Sequence, residues 1–128
     1  MRVSKQSRRV VIADDDSTTR HALRLLLHEH GLQVVAEASD GEKAVELCEV
    51  HRPDIAFLDI NMPRLDGHQA AERIRQRVPN TGMIMISAVP TLDNVQKALQ
   101  LGVSRFVVKP FNAVKVVEAV EDCLQQKN

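Results

Sequence analysis

Five short apolar runs punctuate the chain, at residues 9–13, 33–36, 55–58, 83–86 and 105–108. They are rich in Val, Ile and Met and nearly continuous rather than alternating, as strands are when both faces of a parallel sheet are covered. A segment of helical period comes after each run. Ala22, Leu23, Leu26 and Leu27 share one face of residues 17–30, with Gly31 as the stop. Ala44, Val45, Leu47 and Cys48 mark a second helix, opened by Ser39 or Asp40. Ala70, Ala71, Ile74 and Val78 mark a third, closed by Pro79, and Val95, Ala98 and Leu99 a fourth, closed by Gly102. Val116, Val117, Val120, Cys123 and Leu124 carry a fifth.

A βα unit repeated five times, joined by right-handed crossovers, predicts an α/β fold: a doubly wound, five-stranded parallel sheet with five helices on its two faces. The expected organisation is one domain over residues 9–125 behind a flexible tail at 1–8, and 128 residues suit a single core. Seventeen basic residues balance seventeen acidic ones, which argues against direct nucleic-acid binding through a basic surface. No apolar run approaches the ~18 residues of a membrane span. The polar N-terminus does not read as a signal peptide. Cys48 and Cys123 stand far apart and read as reduced thiols, so a cytoplasmic location is expected. With no Trp, no Tyr and three Phe, a flavin or base-stacking site is not expected.

Ligands of open parallel sheets bind beyond the carboxyl ends of the strands, which makes the residues after each run the informative ones. Asp14, Asp15 and Asp16 follow the first run and Asp59 the third. Ser87 follows the fourth, and Lys109, ahead of Pro110 and Phe111, the fifth. Asp14, Asp15 and Asp59 repel one another unless a cation joins them. Carboxylate oxygens with no His or Cys among them suit Mg²⁺, with Mn²⁺ as the alternate. Lys109 offers a point charge to a phosphate, and Ser87 a hydrogen bond. A carboxylate beside such a metal can attack phosphorus and form an aspartyl phosphate, while metal and lysine neutralise the transferring charge. No Walker A loop, GxGxxG or Ser/His/Asp set points to another chemistry.

Four segments in order, Asp14-Asp15, Asp59 to Pro63 with Asp66-Gly67, Ser87-Ala88, and Phe106 to Phe111 around Lys109-Pro110, resemble the receiver domain of two-component response regulators, the family of the chemotaxis protein CheY. The resemblance runs from about residue 9 to residue 124. It implies a flavodoxin-like fold with strand order 2-1-3-4-5. It implies that Asp59 accepts a phosphoryl group from a sensor histidine kinase or phosphotransfer protein. The chain would catalyse its own phosphorylation and dephosphorylation, yet act mainly as a switch. Asp15, Asp59 and the backbone carbonyl of Asn61 would ligate Mg²⁺, with Asp14 acting through water. Ser87 would move toward the phosphoryl oxygen, and Lys109 would pair with Asp59 or its phosphate. Phe106 stands at the rotating aromatic switch, although plain core packing is an equal reading of that residue. Output would pass through the fourth helix, fifth strand and fifth helix, to a downstream protein, an output domain outside this chain or a phosphorylation-dependent homodimer. The Lys109-Pro110 peptide would be cis.

Two positions depart from the common family pattern, Ser87 where Thr is more frequent and Phe106 where Tyr is frequent; Val89, at a position that tunes dephosphorylation in this family, is apolar. From another class, a Mg²⁺-dependent small-substrate phosphohydrolase would use the same aspartyl phosphate, and Asp14 and Asp16 match its Asp-x-Asp spacing. Such an enzyme needs a cap and a large substrate pocket that are hard to fit here. The five histidines read as surface residues, Arg73, Arg75 and Arg77 as a solvated helix edge, and Asp66-Gly67 as a turn.

Overall fold

A computed structural model describes residues 8–126. Its strands are β1 (Arg9–Ala13), β2 (Gln33–Ala38), β3 (Ile55–Asp59), β4 (Gly82–Ser87) and β5 (Arg105–Val108). The helices are α1 (Ser17–Glu29), α2 (Gly41–His51), α3 (Gly67–Arg77), α4 (Leu92–Gln100) and α5 (Ala113–Gln126), strictly alternating with the strands. All strand pairs are parallel, in the order β2-β1-β3-β4-β5. The expected tail lies outside the described residues, apart from Arg8. No helix among those described is long and apolar enough to cross a membrane.

Side chains alternate across the pleat, so the central strands feed two separate cores. Val10, Ile12, Ile55, Phe57, Ile84 and Ile86 meet Leu23 and Leu27 of α1 and Val116, Ala119, Val120 and Cys123 of α5. Val11, Ala13, Ala56, Leu58, Met83 and Met85 face the other way, against α2, α3 and α4. Full burial on both sides explains why these strands read as continuous apolar runs.

Each helix has a defined start. Asp16, Asp40, Asp66 and Thr91 accept backbone N–H bonds at the first turns of α1 to α4, and Asp66 forms a capping box with Gln69. Asn112 does the same for α5, accepting from the Lys115 N–H at 2.9 Å. Gly31 and Gly102 carry φ of 83° and 88°, which suits their place just past α1 and α4.

Some details differ from the sequence pattern. β2 runs on to Ala38, and β3 and β4 include Asp59 and Ser87 as their last residues. Ala22 and Leu99 are exposed, Leu99 at 56%. A helix on a sheet buries one narrow stripe, and on α4 only Ala98 is fully covered. His51 and His68 are half-buried rather than on the surface, and the His68 ring contacts the Asn94 carbonyl at 3.2 Å.

Candidate functional site

The parallel register delivers the polar strand ends to one place. Asp14 directly follows Ala13, which lies opposite Leu58, and the next residue of β3 is Asp59. Asp59 pairs with Ile86, and Ser87 with Val108, so Lys109 emerges beside Ser87 and donates its N–H to the Ser87 carbonyl at 2.9 Å. The Lys109-Pro110 peptide is cis.

Asp14 is completely buried and Asp59 nearly so, while Asp15 and Asn61 are exposed at the mouth. Carboxylate oxygens of Asp14, Asp15 and Asp59 all lie within 4.8 Å of one another. The Lys109 ammonium sits 2.7 Å from Asp14 Oδ2 and 3.5 Å from Asp59 Oδ2, so it contacts both buried acids and is closer to Asp14. Asp14 is held at its other polar atoms too. Its N–H donates to the Ala38 carbonyl, its Oδ1 accepts from the Asp16 N–H at 2.9 Å, and its carbonyl accepts from Arg20 Nη1 at 2.6 Å.

Ser87 is buried, and its Oγ accepts the Val89 N–H at 2.9 Å. Asn94 Nδ2 in turn donates to the Val89 carbonyl. Phe106 is half-buried against the core on the α2, α3 and α4 side, away from the charged cluster's direct contacts. The structure thus gathers Asp14, Asp15, Asp59 and Lys109 and sets Ser87 at the adjoining strand end; Asn61 is exposed two residues after Asp59, and Phe106 packs on the core. The hydrophobic pattern does not single out Arg20, Glu37 or Asn94. Their contacts are between elements, and a basic residue six positions after Asp14 was their sole trace in the chain.

Burial pushes the Asp59 carboxyl up to about 6; the Asp14 and Asp15 charges push the same way, and Lys109 opposes them. An acid raised in the folded state weakens the fold as it ionises. The cost is absent below the unfolded value near 4, grows between pH 4 and 6, and is complete above about 7. Asp59→Asn is therefore expected to raise the thermal midpoint in EDTA at neutral pH by roughly 3–8 °C. That shift corresponds to on the order of 1–2 kcal/mol once solvent reaching the cleft is allowed for. Calorimetry between pH 4 and 8 checks the sign, since the gain must vanish at the acid end; a variant less stable than wild type at pH 7.5 refutes it.

The donor set fits a hard divalent cation. Asp14 Oδ2 is wholly buried and faces the Lys109 ammonium at 2.7 Å, with no other partner among the described residues. Three clustered carboxylates share this one ammonium, and a divalent cation would offset the remaining repulsion. The oxygen-only ligands, two buried and one exposed, match a metal that keeps waters and takes a phosphate oxygen.

The fold and the pocket together define a doubly wound α/β domain with an acidic, lysine-bridged site at its strand ends. Residues 10–121 match the response regulator receiver domain family, and the chain belongs to it. It is 40% identical over 116 residues to the chemotaxis protein CheY of Bacillus subtilis, covering 91% of this chain and 97% of that protein. It is 39% identical over 114 residues to the transcriptional regulatory protein PdtaR of Mycobacterium tuberculosis, covering 89% of this chain and 55% of PdtaR. The chain thus spans about half the length of that relative. The receiver domain of M. tuberculosis NarL superposes with a TM-score of 0.87 at 38% identity, covering 94% and 98% of the two chains. CheY of Borrelia burgdorferi, solved as a complex with CheX, BeF3 and Mg²⁺, gives 0.85 at 35% identity over 88% and 86%. Membership makes the domain a phosphorylation-activated module of two-component signalling.

Proposed function

We propose that Asp59 is the phosphoryl acceptor, that Asp14, Asp15, Asp59 and the Asn61 backbone carbonyl form the Mg²⁺ site, and that the donor is the phosphohistidine of a sensor kinase or phosphotransfer protein. The observation that carries this reading is the nearly buried Asp59 carboxylate, held between two further carboxylates and the Lys109 ammonium. The Mg²⁺-bound CheY complex of B. burgdorferi supports the choice of metal.

In the transfer step an Asp59 carboxylate oxygen attacks phosphorus as the donor's P–N bond breaks, and the electron pair of that bond returns to the imidazole nitrogen. A bound Mg²⁺ would supply charge neutralisation at the transferring oxygens. Lys109 is fixed beside both buried acids and provides a second cationic contact for the phosphoryl group. An open, largely apolar groove of about 420 Å³, lined by Thr18, Ala22, Ala88, Lys109 and Phe111, lies beside the lysine and offers a donor side chain an approach.

Output rests on the Ser87 contacts. When the Ser87 hydroxyl turns toward a phosphoryl oxygen, the Val89 N–H loses its acceptor, and the Val89–Asn94 bond passes that movement to the start of α4. Val89, Leu92, Leu99, Val108 and Val114, on α4, β5, α5 and the adjoining loop, are exposed apolar side chains. They suit a partner protein, an attached output domain or a second copy of the chain. The phosphohydrolase alternative is not favoured: residues 8–126 are taken up by ten elements and short connections, with no cap insertion.

Acetyl phosphate with Mg²⁺, followed by intact mass, tests the acceptor. The expected result is one phosphoryl adduct on wild type, lost in EDTA and absent from Asp59→Ala. An adduct that persists in Asp59→Ala overturns the assignment, and sustained turnover of small phosphomonoesters points to the hydrolase instead.

A further inference from the structure

We propose that Arg20 is a positioning residue for the metal site, one that sets the Asp14–Asp15 peptide through its carbonyl and is itself set by Glu37. The proposal rests on the metal reading above. Arg20 lies on the first turns of α1, and its Nη1 donates to the Asp14 carbonyl at 2.6 Å. Its Nε donates to Glu37 Oε1 at 3.1 Å, so one rigid guanidinium joins the acidic loop to the edge strand β2. The other Glu37 oxygen takes Arg24, which makes no contact with Asp14. Arg20 and Glu37 are both largely covered, with side chains 19% and 23% exposed.

The Asp14 carbonyl acts through its peptide plane. A planar peptide transmits the direction of its C=O to the next residue, and the next residue is Asp15. Asp15 is exposed, and its carboxylate makes no hydrogen bond or ion pair among the described residues. Nothing on its own side chain aims it at Asp14 and Asp59, so its backbone must do so. Two side chains hold that backbone: Asp14 Oδ1 takes the Asp16 N–H on the far side of Asp15, and Arg20 holds the Asp14 carbonyl on the near side.

Two effects of removing Arg20 have opposite signs, which makes the proposal decidable. If Arg20 acted only through charge, its loss would leave a more negative pocket and tighten cation binding. If it positions the peptide, its loss loosens Asp15 and weakens binding by the 10–100-fold range typical of groups that orient metal ligands.

The experiment is a titration of Mn²⁺ followed by the electron paramagnetic resonance signal of the free ion, with Mg²⁺ as competitor. It is run on wild type, Arg20→Ala, Arg20→Lys and Arg24→Ala, with thermal midpoints in EDTA alongside. Arg20→Ala is expected to weaken Mn²⁺ binding ~10-fold, within that range. Arg20→Lys keeps the charge but not the two-armed fork, so it also weakens binding, and it carries the test where the alanine variant fails to fold. Arg24→Ala shares the Glu37 partner and should bind Mn²⁺ as wild type does, even with a lower midpoint. Unchanged or tighter binding by folded Arg20 variants overturns the proposal, as does equal weakening in Arg24→Ala. Wild type that binds no Mn²⁺ would instead overturn the metal reading, a separate result.

Discussion

Lys109→Met is expected to lower the thermal midpoint in EDTA at pH 7–8 by roughly 8–15 °C, a loss of about 2–4 kcal/mol. Methionine keeps most of the lysine stem and removes the charge that touches both buried acids. Asp14, with no exposed surface, is then a buried ion without a counter-charge, and Asp59 loses the one influence holding its carboxyl down. Burial lowers the lysine's own proton affinity, but contacts with Asp14 and Asp59 outweigh it, and the ammonium is held above the ordinary lysine range. A raised lysine contributes its full stability below the unfolded value near 10.4 and loses it only as pH rises through the folded one. The variant's deficit therefore spans the whole neutral range. It narrows toward acid, as Asp59, raised further without Lys109, takes up its proton and the repulsion it adds disappears. Under the proposed metal reading, millimolar Mg²⁺ restores part of the loss, because a divalent ion supplies the missing positive charge and binds only the folded state. Unfolding scans in EDTA and in Mg²⁺ decide it; a variant within ~2 °C of wild type in EDTA would sink the claim that Lys109 neutralises this cluster.

That cluster was legible in the sequence because chemistry and topology coincide in this fold. A buried parallel strand must be apolar to its end, so a charged residue such as Asp59 or Lys109 marks where the sheet stops. Right-handed crossovers then carry every such end to the same edge. The ladder order 2-1-3-4-5 came from the resemblance, since five similar apolar runs do not state which strand lies beside which. The positions of helix faces were legible less evenly. On α1, Leu23 and Leu27 are buried as their spacing predicts, but Ala22 is exposed because an alanine carries too little apolar surface to locate a stripe. On α4, Leu99 follows the helical period and still faces solvent, because only the stripe at Ala98 is fully covered there.

Contacts made across elements left no periodic trace. Nothing in the order of residues places Glu37 between Arg20 and Arg24, or Asn94 against the Val89 carbonyl. The cap of α2 was readable as Ser39 or Asp40, because a cap is a local event within four residues, whereas Thr91 and Asn112 were not singled out. Asp66-Gly67 divides between the two cases. The aspartate, read as a turn residue, is the N-cap of α3, whereas the glycine is required by the close approach of the β3 end.

Gly67→Ala accordingly is expected to destabilise the domain by about 2–4 kcal/mol, although alanine is the better helix former by ~1 kcal/mol. Gly67 is the first residue of α3 and is buried, and its N–H donates to the Ile60 carbonyl at 2.8 Å. A Cβ there would lie 2.3 Å from the Asp59 carbonyl oxygen and 2.8 Å from Ile60 Cα. Both are backbone atoms, so no rotamer change relieves the overlap; either α3 or the end of β3 must shift by about an ångström. The shift falls on the residue proposed to accept the phosphoryl group. A displacement of that size at a reacting atom is worth on the order of 100-fold in rate, so the adduct with acetyl phosphate should form that much more slowly even well below the lowered midpoint. Gly31→Ala separates this from ordinary glycine strain. Its φ of 83° is unfavourable for alanine, but nothing lies within 4 Å of the added carbon, so it should cost stability and leave the phosphorylation rate alone. Equal rates in wild type and Gly67→Ala would show that the close approach of α3 to β3 does not govern where Asp59 sits.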